Sequence, residues 1–451
     1  MLLINFILEK SKVMGLLIIL VAIGHVILGK YRWQYYPVYL VGVIYLILAV
    51  INYFRLFELN ATIGKWILGL SILLIFISVI LSLVLPISQV PKPSGKLSVG
   101  TRIYELEDKN RDEKYSVDEE AKRKIKYQVW YPANTTDGFK KAKWISDGVI
   151  VTRQLAKNMR LPFFILDHTA KIYSNSYIGA PIKPATDNYP IVIISHGWKG
   201  FRELHTDYAE ELASNGFIAI SIDHTHGSQA VKFKDGTVVY LNNEALPNNV
   251  GSKEYDNNSN LLVKTYGDDV ASVLDDLEKL NDQDEDFKGK LNLNAVGLLG
   301  HSTGGGGHVY ISQKDKRIKA ILGLDSWVNP IEVEKLKQGL SIPTLFLRSQ
   351  QWGIGPNNTA LKHLMDKSKD VTLIQMHGTN HVDFTMTYMY SPITKYVGFT
   401  GQLGGLYSSK IQKEFILEFF KDNLTSEKNI DDNYLDKIIE KYESIEVVNP
   451  L

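Results

Sequence analysis

The chain changes texture once along its length. No charged residue occurs for 17 positions between Lys12 and Lys30, for 22 between Arg32 and Arg55, and for 26 between Lys65 and Lys92. A bilayer core needs about 20 mostly apolar helical residues, so the pattern predicts a bundle of three transmembrane helices at 13–29, 34–54 and 66–87. The first is short and carries His25, which also fits a signal peptide. However, no small-residue cleavage pattern follows it, Lys30-Tyr31-Arg32 is bulky, and two further spans come behind. Residues 88–95, with Pro91 and Pro93, read as a linker. From about Leu97 apolar runs of strand character alternate with amphipathic helical stretches, which predicts an α/β domain with a mostly parallel sheet. The division expected is a membrane region at 1–90, a linker at 91–96, an α/β domain at 97–425 and a helical tail at 426–451.

Within that domain, strands are expected at 125–131, 189–195, 217–222, 295–299, 320–324, 344–347 and 371–376. Helical periodicity fits 207–214 and 261–280, the latter with Leu262, Val270, Val273, Leu274 and Leu277 inward, and it returns at 408–423 and 431–444. Residues 138–186 mix basic, apolar and aromatic groups without a strand pattern, including Met159-Arg-Leu-Pro-Phe-Phe-Ile-Leu166. They read as a packed cap, or as a lid if their apolar side chains are exposed. The Asn-rich stretch 242–260 reads as a mobile polar loop.

Composition narrows the classes. The 451 residues, 45% hydrophobic, can fill a sizeable core, and a net charge of +1 gives no footing for nucleic acid. Six basic and two acidic residues lie in 1–90, leaving 44 basic against 47 acidic, so the remainder is slightly acidic. With no cysteine there are no disulfides, thiolate metal sites or cysteine nucleophile. Loop charge leaves orientation tied, Lys10, Lys12, Arg55 and Lys65 standing against Lys30, Arg32, Lys92 and Lys96. The three spans predict a multi-pass protein of the cell membrane, and only the extracytoplasmic placement of the large domain is expected on substrate logic alone; the oligomeric state is not legible.

The chemistry is concentrated at 295–307, where an apolar run leads into Gly300-His-Ser-Thr-Gly304 and further glycine. A Gly-x-Ser-x-Gly frame between strand and helix is a nucleophile elbow: Gly300 and Gly304 let the backbone pass close and leave the Ser302 hydroxyl exposed above the sheet. The base and acid should follow in the order acid, then histidine. His308 lies on the elbow helix and His363 in a polar helix. His377 abuts the last parallel strand, whereas His381 hangs from the Gly378-Thr-Asn380 loop with the reach a base needs. The usual acid position after 344–347 is empty, since Arg348-Ser-Gln-Gln-Trp352 holds no carboxylate. One strand earlier Asp325 ends an apolar run, with Asp383 as the alternative acid. The turn at His196-Gly197-Trp198 would aim the Trp198 N–H, together with that of Thr303, at a developing oxyanion. His196 then supports that turn. Asp223, His224 and His226 form too small a set for a metal centre, and neither metal nor cofactor is expected.

These residues, with others in register from about Val99 to Phe384, resemble the platelet-activating factor acetylhydrolases of the plasma and intracellular type II kind and their bacterial relatives. The series is Val129-Trp-Tyr-Pro132, Ser195-His-Gly-Trp-Lys-Gly-Phe-Arg202, Ala213-Ser-Asn-Gly-Phe217, Gly300-His-Ser-Thr-Gly-Gly305, Leu324-Asp-Ser-Trp327 and His381-x-Asp-Phe384. The resemblance implies an α/β-hydrolase fold and a calcium-independent esterase that removes short or oxidised acyl chains from the sn-2 position of phospholipids. It also implies Ser302, Asp325 and His381 as the triad, with Trp198 and Thr303 at the oxyanion. Trp198 stands where the family usually has leucine, Thr303 where it has phenylalanine, and the animal enzymes lack the N-terminal spans. Rival readings are a general short-chain or polyester esterase, an acyltransferase with the same triad, and a non-catalytic scaffold that binds lipid or a partner.

Overall fold

The computed structural model describes residues 2–28, 31–54, 60–185, 187–426 and 434–448, divided between two compact units, Met1–Ile87 and Ser88–Leu451. The first unit holds α1 (Leu2–Ile27), α2 (Tyr36–Phe54) and α3 (Ala61–Val84). Trp33–Phe54 and Ala61–Val84 are long and apolar enough to cross a membrane, with mean hydropathy 2.0 and 3.0. The first of the three expected spans is not among the helices that meet that standard: among the described residues α1 offers only the shorter apolar stretch Gly15–His25, and Glu9, Lys10 and Lys12 precede it. Gly29, Lys30 and Arg55, which entered the span and charge comparisons, lie outside the described residues.

The second unit is built on β1 (Ser98–Asp112), β2 (Lys122–Ala133), β3 (Lys141–Lys143), β4 (Tyr173–Ile178), β5 (Tyr189–Ser195) and β6 (Ile218–Asp223). A separate hairpin, β7 (Ala230–Lys232) and β8 (Val238–Tyr240), precedes β9 (Leu291–His301), β10 (Ile318–Leu324), β11 (Thr344–Ser349), β12 (Val371–Met376) and β13 (Ile445–Val447). Apart from the hairpin they form one sheet in the order β13-β12-β11-β10-β9-β5-β6-β2-β1-β4-β3. The six central strands from β12 to β6 run parallel. Period-2 alternation divides their side chains between two faces. Ile191, Ile193, Val296 and Leu298 pack on one side with Val263, Val270 and Leu274 of α6 (Ser252–Gln283) and Val309 of α7 (Thr303–Ser312). Val192, Ile194, Leu299 and Leu322 pack on the other with Leu212, Ile411 and Phe415. Each fully buried side chain of this size contributes about 1.5–3 kcal/mol, which is why near-continuous apolar runs mark these strands.

The register places the site. Ser195 lies opposite Gly300, His301 opposite Leu324, Leu324 opposite Leu347 and Ser349 opposite Met376. The residues that follow β5, β9, β10, β11 and β12 therefore share one edge, the carboxyl end where α/β sheets bind ligands.

Three expectations change. Residues 252–260 are the first turns of α6 rather than loop: the buried face from Ser259 onward anchors the helix, and its first turns extend it through largely exposed positions from Ser252. Residues 138–186 are not a separate cap throughout. β3 and β4 extend the sheet edge beside β1, and a helix at Val149–Asn158 buries Val151, Leu155 and Ala156 against Phe201 and Met386. The short strands were hidden because an edge strand needs no continuous apolar run. In the tail, Ile438 and Tyr442 enter the core and β13 pairs antiparallel with β12; 427–433 and 449–451 lie outside the described residues.

Candidate active site

Ser302 joins β9 to α7 at φ +53° and ψ −119°, a conformation costly for any residue with a Cβ. The surroundings enforce it. The Ser302 N–H donates to the Leu324 carbonyl at 2.9 Å, and the Trp327 N–H donates to the Ser302 carbonyl at 2.9 Å. Glycine is required on both sides of the turn: a Cβ on Gly300 would sit 2.6 Å from the Gly305 Cα and one on Gly304 would strike the Ser195 carbonyl, while across from the elbow a Cβ on Gly197 would sit 2.8 Å from the Ser302 Cβ. The glycines continue into α7 because a Cβ on Gly307 would lie 2.9 Å from the Gly267 nitrogen of α6. Each glycine costs a helix about 1 kcal/mol relative to alanine; backbone contact between two helices is what that cost allows.

Asp325 also holds a left-handed backbone, φ +43°, and is buried at the end of β10. Its Oδ2 lies 2.9 Å from the His381 Nδ1. The carboxylate accepts from the Ser349 N–H at 2.7 Å and from the Ser349 hydroxyl at 2.6 Å. The acid position left empty at the end of β11 is thus filled by a donor that orients the carboxylate one strand away. With Asp325 accepting, the Nδ1 of His381 carries the proton and its Nε2 has a free lone pair. The His381 backbone N–H donates to Gln351 Oε1 at 2.8 Å. Its ring is packed between Trp352, stacked at 4.3 Å and 4° between planes, and His301, at 4.5 Å. His301 is the residue before Ser302, so the imidazole and the elbow are in direct packing contact. Asp383 lies elsewhere: it accepts from the Asn380 and Gly401 N–H groups at 2.8 and 2.7 Å and braces the loop. His377 pairs with Glu446 at 2.7 Å, and His308 with the Ser195 hydroxyl at 2.8 Å.

Trp198 follows Gly197 along the serine, and its N–H donates to Thr303 Oγ1 at 3.3 Å. Thr303 is the first residue of α7, so its N–H precedes the helix's own bonding. His196 is buried under this turn, with Nδ1 2.7 Å from the Gly197 carbonyl and Nε2 2.8 Å from Ser228 Oγ. Beside it, Asp223 pairs with the buried Arg202, and His224 lies 2.9 Å from Asp269, which also accepts from the Nε and Nη2 of Arg123. Burial acts to raise the Asp269 carboxyl, and the Arg123 guanidinium overrides it, holding the group well below the carboxylate range. Among the described residues no three His, Asp or Glu side chains converge as a metal set.

Ser349, Gln351, Trp352 and His301 were not singled out from sequence. The hydroxyl at the empty acid position was the one available signal. Trp352 has a testable consequence. Aromatic stacking contributes about 0.5–1.5 kcal/mol beyond burial, so Trp352→Ala is expected to lower kcat by about two- to tenfold with little change in KM, and Trp352→Phe to recover most of it. An unchanged kcat in steady-state assays would remove the stack from the site's function.

Burial also depresses a set of histidines: His205 and His308 are pushed down to about 3, and His196 and His301 lie well below the usual value. These rings are neutral in the fold, whereas the unfolded chain takes up their protons below about pH 6.5. The unfolded state thus binds more protons as pH falls, and stability declines by about 2 kcal/mol each for His205 and His308 between pH 6.5 and 5. Asp207 and Glu210, whose carboxyls burial raises, oppose this by taking up protons in the fold. The expected result is a Tm that drops from pH 7 to 5, with a smaller drop in His205→Phe; an identical drop in that variant would contradict it.

A mostly parallel sheet with a strained, glycine-framed serine on its strand-to-helix turn is the arrangement of the α/β-hydrolases, and the chain is a carboxylic ester hydrolase of that class. It belongs to the family described as platelet-activating factor acetylhydrolase, isoform II, whose model matches residues 84–442. The platelet-activating factor acetylhydrolase of Cavia porcellus is 26% identical over 333 residues, covering 67% of this chain and 73% of that one. The enzyme of the same name from Canis lupus familiaris is 24% identical, with 76% and 79% covered. In fold, the chain is similar to a ferulic acid esterase from Streptomyces cinnamoneus, with a TM-score of 0.63 at 19% identity over 81% of this chain and 100% of that one.

Proposed function

We propose that the protein is a membrane-anchored serine esterase that removes short or oxidised acyl chains from phospholipids without calcium, through an acyl-serine intermediate. The observation that carries the reading is the 2.9 Å contact of His381 Nδ1 with Asp325, made on the same sheet edge that carries Ser302. In this reading His381 Nε2 takes the Ser302 hydroxyl proton as Oγ attacks the ester carbonyl. The N–H groups of Trp198 and Thr303 hold the oxyanion, that of Trp198 turning to it from Thr303 Oγ1, and the imidazolium passes its proton to the leaving alcohol. Water, deprotonated by the same imidazole, then releases the acid and restores Ser302.

The preference for a short acyl group is supported by two large rings next to the elbow, Trp198 and Trp327, which pack with Leu246, Leu262 and Tyr266. Anchoring is supported by α2 and α3, whose apolar side chains, including Ile47, Ile72 and Phe76, stay exposed; α1 would be a third span, and the catalytic unit would lie outside the cell. A panel of sn-2 esters tests this. Acetyl and other short or oxidised chains are expected to turn over faster than long unmodified ones, and intact cells are expected to hydrolyse charged members that cannot enter. Preference for long unmodified chains would overturn the phospholipid subclass, and silence of intact cells the orientation.

A further inference from the structure

A cavity of about 870 Å³ lies in the catalytic unit between the segment that follows His381, the start of α10 (Gly405–Leu424) and residues 88–91. Its walls are chiefly apolar, from Tyr388, Met389, Pro392, Leu403, Leu406 and Tyr407. Three lysines, Lys395, Lys410 and Lys413, also line it, and no aspartate or glutamate does. Lys413 is spoken for by Glu211 at 3.1 Å. Lys395 and Lys410 pair with no carboxylate among the described residues, so the charged groups of a chiefly apolar lining are cationic, beside neutral hydroxyls such as those of Ser391, Thr394 and Thr400. Tyr396 and Leu406, 84% and 59% exposed, stand at its rim. The volume is in the range of small-molecule sites, about 300–1,000 Å³.

A lining of this size and apolar character suits an acyl chain, and two ammonium groups with no carboxylate partner beside it suit an anionic head group. We infer that this cavity binds a single-chain lipid with an anionic head group, the chain lying against Met389, Leu403 and Leu406 and the head group held by Lys395 and Lys410. A fatty-acid carboxylate and an anionic lysophospholipid share that chemistry, and the test separates them. The site is distinct from the one built on Ser302: none of the residues lining it belongs to the triad, the oxyanion turn or the Trp352 stack. It does share a chain segment with His381, since Leu403 N–H donates to the Gly378 carbonyl at 2.8 Å.

Photoaffinity labelling of the full chain in neutral phosphatidylcholine vesicles tests the inference, using a diazirine-bearing palmitate, its methyl ester and a diazirine-bearing lysophosphatidate. The palmitate or the lysophosphatidate is expected to mark peptides within 388–413, at least fivefold more than the ester does, and whichever anion labels more strongly identifies the head group. The K395Q/K410Q variant should lose most of that labelling while Ser302 still reacts with a fluorophosphonate, which reports that the unit is folded. L406E should block the chain position with the lysines intact. Equal labelling by the methyl ester, labelling that survives K395Q/K410Q, or adducts confined to other segments would each overturn the site.

Discussion

Ser302→Ala is expected to abolish ester turnover, with a loss on the order of 10⁶-fold in kcat, the scale seen when the serine of an equivalent triad is removed. The substitution deletes one oxygen from a residue whose backbone is held by the Leu324 carbonyl and the Trp327 N–H. Alanine carries the same Cβ through the same left-handed conformation, so the fold should persist and the loss can be read as chemistry. The measurement is turnover of a short-chain aryl ester together with fluorophosphonate labelling. Full turnover in the alanine variant would end the assignment of Ser302, and labelling of another residue would name its replacement.

Asp325→Asn is expected to cost about 10⁴-fold, the effect of the same change in a serine protease triad. The direction follows from Ser349. Its N–H and hydroxyl both donate to the carboxylate, so an asparagine would turn its carbonyl toward Ser349 and its NH₂ toward His381. The imidazole would then have to accept at Nδ1 and carry its proton on Nε2, the nitrogen that should take the serine proton. Asp383→Asn should instead disturb the loop held at Asn380 and Gly401 and affect stability more than kcat. If the two variants exchanged these phenotypes in steady-state kinetics and thermal melts, Asp383 would be the acid.

Much of the sheet was visible in the chain because parallel strands are buried on both faces. The runs at 189–195, 320–324 and 371–376 appear as β5, β10 and β12 at their expected positions. β1, β3 and β4 were harder to see because they lie near an edge, where strand residues need only one apolar face. The helical start of α6 at Ser252 was hidden by polar composition, since its first two turns face solvent. The positions of Ser302 and His381 could be read from chain order, as could a carboxylate one strand early. What a linear reading could not supply was the reason for that displacement. Only the pairing of β10 with β11 brings Ser349 beside Asp325, and only the fold lays Trp352 on the imidazole.

The crowding of α7 against α6, the Ser195 carbonyl and the Trp327 carbonyl has an evolutionary consequence. The glycines after Ser302 are demanded by packing, whatever the serine does. A descendant of this chain that lost its chemistry would keep Gly304 to Gly307 for as long as it kept its fold, while the hydroxyl, the carboxylate and the imidazole were free to drift. Among such descendants the glycine run would mark ancestry, and the three side chains would mark activity.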